Sequence, residues 1–388
     1  MKNIPTNQTF ILGILLTGTI FMSQPLCAQS QEEIRQDSLQ EDNKPEKGPD
    51  VSWSAFVDAF YAFDFNRPVE NFRHDFFYNH NRHNEFNINL ALLQLTVSHE
   101  RYRANLGLQA GTYAMDNYAL EDDLLKHVNE ANIGISLNKS STIWLDMGVF
   151  GSHLGFESAI SADNPTLTRS LVAENSPYFL SGAKLTWNIT DALLVSGTWS
   201  NGWQHIKRIE GNSFPGLGTQ VMYTSEIFTA NWSTFVCSEF EDVDRRLRYF
   251  NNFYAIITPV EKFKIIGGID IGIQETAPNS TSYEIWAAPT IIGSYTFSEK
   301  WKGALRAEYY GDKASVIVET ESNNGFRTSG LSFNLDYIPY PLVMARVEMR
   351  YLKSRDNIYR LTYFPAGVTT FIDENLFIVG SLSIRIKG

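Results

Sequence analysis

The sequence predicts an all-β protein: a transmembrane, antiparallel, up-and-down β-barrel of about sixteen strands, with long extracellular loops and short periplasmic turns. Three observations predict it. Extended segments alternate apolar and polar residues with period two. Short turns and long connections follow one another in strict alternation, an arrangement soluble sandwiches have no reason to adopt. No later stretch shows a sustained helical period or an apolar run near the roughly 20 residues of a membrane helix.

Composition narrows the class further. The chain of 388 residues fits two or three soluble domains or one large barrel. The 18 Tyr, 26 Phe, 8 Trp and 26 Gly, with only 19% charged residues, favour β-structure rich in aromatic positions. A formal net charge of -11 argues against nucleic acid as a partner.

At the N-terminus, Lys2 precedes the apolar run Phe10 to Met22, and small residues lie near Cys27 and Ala28. That is the layout of a signal peptide over residues 1–28, cleaved after Ala28. The rival, a lipid on Cys27, meets Leu26 where such sites want a small residue. Residues 29–50 carry Glu32, Glu33, Asp37, Glu41, Asp42 and Glu46 with almost no apolar side chains, and read as a flexible leader. The mature chain keeps only Cys237, so no intramolecular disulfide forms.

Residues 51–388 read as the barrel. In the first strand Val51, Trp53, Ala55, Val57, Ala59, Tyr61, Phe63 and Phe65 make one apolar face, backed by Ser52, Ser54, Asp58, Ala62 and Asp64. The apolar face meets lipid and the carboxylates meet a lumen. After a long aromatic and Asn-rich segment, Phe86, Ile88, Leu90 and Leu92 share the next outward face, with a bulge near Gln94. A tight turn at Glu100 and Arg101 leads to the strand Tyr102 to Ala110. The same cycle of strand, turn, strand and long loop continues to a last strand from Asn375 to Lys387.

Aromatic residues at strand ends supply a girdle: Trp53, Phe63, Trp187, Trp199, Trp301, Tyr309, Tyr337 and Tyr351. Trp301 and Tyr309 share a face eight residues apart. At ~3.3 Å per residue and ~40° tilt they span about 20 Å, near the ~25 Å apolar band of such barrels.

Inward charges are where the function of a water-filled barrel is written. The candidate pore-lining residues are Asp58, Asp64, Arg103, Asp146, Lys184, Lys264, Asp270, Arg306, Glu308, Asp336, Arg346, Glu348, Arg350 and Arg385. The sharpest group places Arg306 and Glu308 on one strand and Arg346, Glu348 and Arg350 on another, flanking the strand of Asp336. Such a wall either orders dipolar solutes or pairs laterally and fills space. His80 and His83 in the first long loop lack the rigid spacing of a metal site. That loop instead folds into the mouth and narrows it, so deleting Asn71 to Asn81 raises conductance.

The runs HDFFYNHNRHNEFNINLALL (His74 to Leu93), RANLGLQAGTYAMDNYA (Arg103 to Ala119), SNGW (Ser200 to Trp203) and RRLRYFNNFYA (Arg245 to Ala255) carry a resemblance. They resemble the OmpL-like β-barrel porin family of Bacteroidota outer membranes, over nearly the whole mature chain. The resemblance implies an outer-membrane barrel assigned as a porin largely by shape. One departure is the C-terminus, which ends Ile386, Lys387, Gly388 where many such barrels end in an aromatic residue.

No G-x-S-x-G element, phosphate loop, dinucleotide fingerprint or zinc spacing occurs, so neither an enzyme nor a cofactor is expected. The expected function is passive diffusion of small hydrophilic solutes through a polar lumen constricted by the first or third long loop. The alternative is a loop-plugged barrel serving as receptor, adhesin or subunit of a larger assembly. Outer-membrane lipids are the expected surroundings, and homo-oligomerisation is left open.

Overall fold

The computed structural model describes residues 48–363 and 367–388. The signal-peptide and leader readings over residues 1–47 lie outside them, while Asp50, read as the last leader residue, is the first of β1.

Sixteen antiparallel strands close into one barrel. In chain order they begin with β1 (Asp50–Asp64), β2 (Phe86–Ser98), β3 (Tyr102–Ala110), β4 (Val128–Ser136), β5 (Ile143–Gly151) and β6 (Phe179–Asn188). They continue with β7 (Leu193–Ser200), β8 (Gly216–Thr224), β9 (Phe228–Cys237), β10 (Arg248–Val260), β11 (Phe263–Glu275) and β12 (Tyr283–Ser298). The set ends with β13 (Trp301–Asp312), β14 (Phe326–Tyr340), β15 (Val343–Ser354) and β18 (Glu374–Lys387). β18 pairs with both β15 and β1, so every barrel strand has two neighbours and no open edge remains. Gly388 exchanges both backbone hydrogen bonds with Trp53, at 2.9 and 3.0 Å, and completes that seam.

At one end the strands are joined by the short turns 99–101, 137–142, 189–192, 225–227, 261–262, 299–300 and 341–342. The connections 65–85, 111–127, 152–178, 201–215, 238–247, 276–282, 313–325 and 355–373 lie at the other end. They carry helices α1 (Thr112–Asn117) and α2 (Leu171–Glu174), and the hairpin β16 (Tyr359–Tyr363) with β17 (Val368–Ile372). Sequence periodicity does not show that hairpin, because five-residue strands give too few alternations.

Outward positions are apolar and exposed around the whole wall, for example Leu305, Leu331, Met349 and Leu382. A belt of that extent would not stay monomeric in water, and it matches the lipid-facing surface of a membrane barrel. No helix among the described residues is long and apolar enough to cross a membrane.

One facing assignment is corrected. The β1–β2 register shifts where Asp58 pairs Leu90 and Ala59 pairs Ile88, leaving Asn89 as the extra residue. The bulge therefore sits at Asn89 rather than near Gln94. Phe86 and Ile88 point out, but Leu90 and Leu92 turn inward and are buried.

Candidate functional site

Inside the barrel the first and third long connections, 65–85 and 152–178, fold against the wall. The wall they meet has two layers. Towards the long-connection end the inward positions are apolar: Phe60, Phe235, Phe250, Trp286, Leu352 and Phe377. Phe76 and Phe77 of the first connection and Leu167, Leu171 and Val172 of the third pack into that cluster. Deeper, towards the short turns, the wall is charged.

The charged layer is centred on β14. Arg306 on β13 and Arg350 on β15 both sit opposite Ser332, and Glu308 sits opposite Gly330. The small inward residues of β14 let the long side chains of its neighbours meet above it. A Cβ on Gly330 would lie 2.6 Å from Glu308 Oε1. Arg306 reaches Glu348 at 2.8 Å and Glu308 at 3.3 Å, Arg350 reaches Glu308 at 2.7 Å, and Arg346 reaches Asp336 at 2.7 Å.

The third connection then saturates this network. The Thr168 amide and hydroxyl donate to the two Glu348 oxygens at 2.6 and 2.8 Å. The Leu171 amide donates to Glu308 at 2.7 Å, and the Leu167 amide to Asn334 at 3.0 Å. Arg346 donates to the carbonyls of Asn164 and Pro165 at 3.0 and 3.1 Å. The Ser161 hydroxyl donates to Asp58 at 2.6 Å, and Arg385 pairs with Asp163. On the facing wall the Gly155 amide donates to Asn252 at 3.1 Å, and Ser233 donates to the His153 carbonyl at 2.8 Å. A carboxylate buried without partners is costly, and here each one on the wall meets loop amides, hydroxyls or guanidinium groups.

The first connection is held in the same way. His80, with left-handed backbone at φ 51°, places Nε2 3.0 Å from Asp58. Arg73 lies 3.6 Å from Asp64 with its guanidinium 3.4 Å from the Phe377 ring centroid. Asn375 also donates to both oxygens of Asp64, at 2.8 and 3.0 Å.

The candidate pore-lining residues thus divide. Asp58, Asp64, Arg306, Glu308, Glu348 and Arg350 point inward but have 0% exposed side chains; Asp336, Arg346 and Asp270 are nearly as buried. These side chains meet one another and residues of the first and third connections, the laterally paired arrangement that was one of the two readings of such a wall. On the opposite wall Arg103 is a third exposed, binding Asp146 at 2.5 Å, and Lys184 is half-buried with Nζ 4.7 Å from the Phe150 ring centroid. Lys264 is exposed near the short-turn end and Arg385 is half-buried there. Of the girdle set, Trp53, Trp187, Trp301 and Tyr337 lie outward near the short turns. Phe63, Trp199, Tyr309 and Tyr351 lie outward near the long connections.

Sequence reasoning missed the plug's own residues, above all Thr168, Leu167, Leu171 and the buried Glu157, Arg169 and Glu174. A usable signal was present: residues 152–178 contain Leu154, Leu167, Leu171 and Val172, too apolar for a solvated loop. The inward Phe56 and Phe60 also share the parity of Asp58. No group of three or more His, Cys, Asp or Glu among the described residues is arranged to hold a metal ion.

A closed barrel with an apolar exterior and a charged, loop-filled interior defines an outer-membrane barrel of porin type. The family model described as "Putative beta-barrel porin-2, OmpL-like" matches residues 50–382, and the chain belongs to that family. Solved structures of similar fold include the anion-selective porin from Comamonas acidovorans, at 9% identity and TM-score 0.59, covering 87% of this chain and 100% of that one. The trimer form of OmpT from Vibrio cholerae has 11% identity and TM-score 0.57 over 88% and 100%. The outer-membrane channel DcaP of Acinetobacter baumannii has 12% identity and TM-score 0.56 over 88% and 99%. No curated protein matches the chain. The protein is located in the outer membrane, and its family is one of porins rather than enzymes.

Proposed function

We propose that the protein is a passive diffusion channel for small hydrophilic solutes, with its long connections outside the cell and its short turns in the periplasm. The passage is narrowed by the inward-folded first and third connections. The observation that carries this reading is the asymmetry of the interior: the charged contacts of the inward-folded connections gather on β13–β15, β18 and β1, while across from them Arg103, a third exposed, and the half-buried Lys184 flank the buried Asp146. A water-filled path beside a fixed loop is how a wide barrel becomes a selective one.

A loop-plugged receptor or assembly subunit is the second reading, favoured by the apolar cluster that joins both connections to the wall. Planar-bilayer recording separates the two. The channel reading expects discrete conductance steps from the intact protein, and larger steps when Ser161 to Thr166 are replaced by Gly and Ser. No conductance from either protein would favour the plugged barrel. The trimer named for the OmpT neighbour supports a homo-oligomer here, which cross-linking of the detergent-extracted protein would test.

A further inference from the structure

At the long-connection end the mouth holds a cavity of about 850 Å³. Residues 72–78 of the first connection form one side and residues 317–323 the other, with parts of the eighth connection closing it. The volume falls within the ~300–1,000 Å³ of small-molecule sites.

Its charges are unbalanced. Asp75, Glu319 and Glu321 line it, are exposed, and make no ion pair or hydrogen bond with any described residue. The cations beside them are already committed. Arg73 is 2% exposed and faces Asp64, and Arg360 lies 3.7 Å from Glu70. Burial holds His74 neutral, its pKa pushed down to about 4.

A second observation points to a ligand. His74 is nine-tenths buried and lines the cavity, and neither ring nitrogen has a hydrogen-bond partner among the described residues; Nε2 is fully buried, whereas Nδ1 keeps access. With its proton on Nε2, Nδ1 accepts from an N–H group. Apolar surface lies alongside: Phe72, Phe76, Ile317, Ile358 and the exposed Phe371. Unpaired carboxylates next to aromatic rings and a free acceptor complement a cation with an apolar body.

We propose that this mouth cavity binds organic ammonium ions, with the charged nitrogen against Asp75, Glu319 and Glu321 and the apolar body on Phe72, Phe76 and Phe371. Entry of such solutes into the barrel rests on the channel reading above; binding does not.

Titration calorimetry on the refolded full chain in detergent micelles at low salt tests binding directly, with phenethylammonium chloride as probe. Sodium phenylacetate serves as the same shape with opposite charge. The intact protein binds the amine and not the acid. D75N/E319Q/E321Q, three isosteric changes at exposed positions, weakens amine binding about tenfold or more. F371A weakens it by a smaller factor and leaves its salt dependence unchanged. Equal binding of phenylacetate, an unaltered affinity in the triple variant, or calcium chloride binding as tightly as the amine would each overturn the proposal. Bilayer recording of the same preparation keeps the two readings apart. Amine binding without conductance would remove the channel and leave the site, and conductance without amine binding the reverse.

Discussion

Thr168→Val is the sharpest probe of the plug, because it changes one hydroxyl and almost no volume. The Thr168 hydroxyl donates to Glu348 at 2.8 Å and accepts from Arg306 and Arg350 at 3.1 and 3.3 Å. Both guanidinium groups keep other acceptors, Ser332 at 2.9 Å and the Arg169 carbonyl at 2.9 Å, and Glu348 Oε1 keeps Arg306 at 2.8 Å, so the net loss is that of one hydrogen bond to a charged group. A hydrogen bond to a charged group contributes about 1.5–3 kcal/mol. At about 1.4 kcal/mol per tenfold, the ratio of lifted to seated loop rises roughly 10- to 100-fold. Single-channel recording reads this as more frequent openings at unchanged full conductance, with Thr168→Ser matching the intact protein. The substitution lies in a loop, so the barrel keeps its heat-resistant gel mobility. Openings within about twofold of the intact protein, well below a tenfold effect of about 1.4 kcal/mol, would show that this contact does not hold the passage closed.

Further outcomes are expected elsewhere. Gly268 faces Phe156 of the third connection, and a Cβ there would lie 2.4 Å from its ring; Gly268→Ala overpacks by about 1–3 kcal/mol and makes residues 152–178 more sensitive to protease in micelles. An unchanged digestion pattern would mean the loop absorbs the methyl group. Burial lowers His74 and His153 from 6.5 to about 4. Each therefore contributes stability that is present above pH 6.5 and lost as pH falls towards 4, about 3 kcal/mol per group at full loss. Conductance is expected to rise between pH 6.5 and 4, and H74Q/H153Q to flatten that rise; an equally steep profile in the double variant would exclude both groups. Leu305, 59% exposed in the belt, tests the lipid face: Leu305→Arg costs about 2–4 kcal/mol in lipid refolding, whereas Val243→Arg in a connection leaves stability unchanged. Equal costs at the two positions would place Leu305 out of the bilayer.

The barrel was legible because lipid outside and polar groups inside impose period two on every long strand, and sixteen such segments can be counted. Boundaries moved by a residue: the barrel's first strand starts at Asp50 rather than Val51, and its last at Glu374 rather than Asn375. Facing was misjudged only where a bulge reset it, at Asn89, since an extra residue leaves composition unchanged. The lateral grouping of Arg306, Glu308, Glu348 and Arg350 was readable from strand order. Their burial was not, because it depends on a loop of sequence separation as large as the 180 residues between Thr168 and Glu348. Inward charge has two destinations, water or a folded loop, and local pattern does not distinguish them. The apolar content of residues 152–178 does.

That content also says how far the plug can move. Residues 161–166 contact the wall almost entirely through polar groups: Ser161 with Asp58, Thr166 with Arg306, and carbonyls with Arg346. Water can hydrate each of these polar groups when the arch lifts, which offsets much of what those hydrogen bonds contribute. The flanks differ in kind. Ile160 packs into a cluster with Phe56, Leu90 and Phe179, and Leu167 into the one with Phe77 and Phe377. Pulling either into water costs about 1.5–3 kcal/mol, with no compensating hydration. The third connection is therefore a polar arch between two apolar pins. Exchange of the arch for water is the inexpensive motion, and withdrawal of the whole loop is the expensive one. On the channel reading, small openings begin at residues 161–166, and release of Thr168 beyond the Leu167 pin is the larger and rarer opening that Thr168→Val makes more frequent.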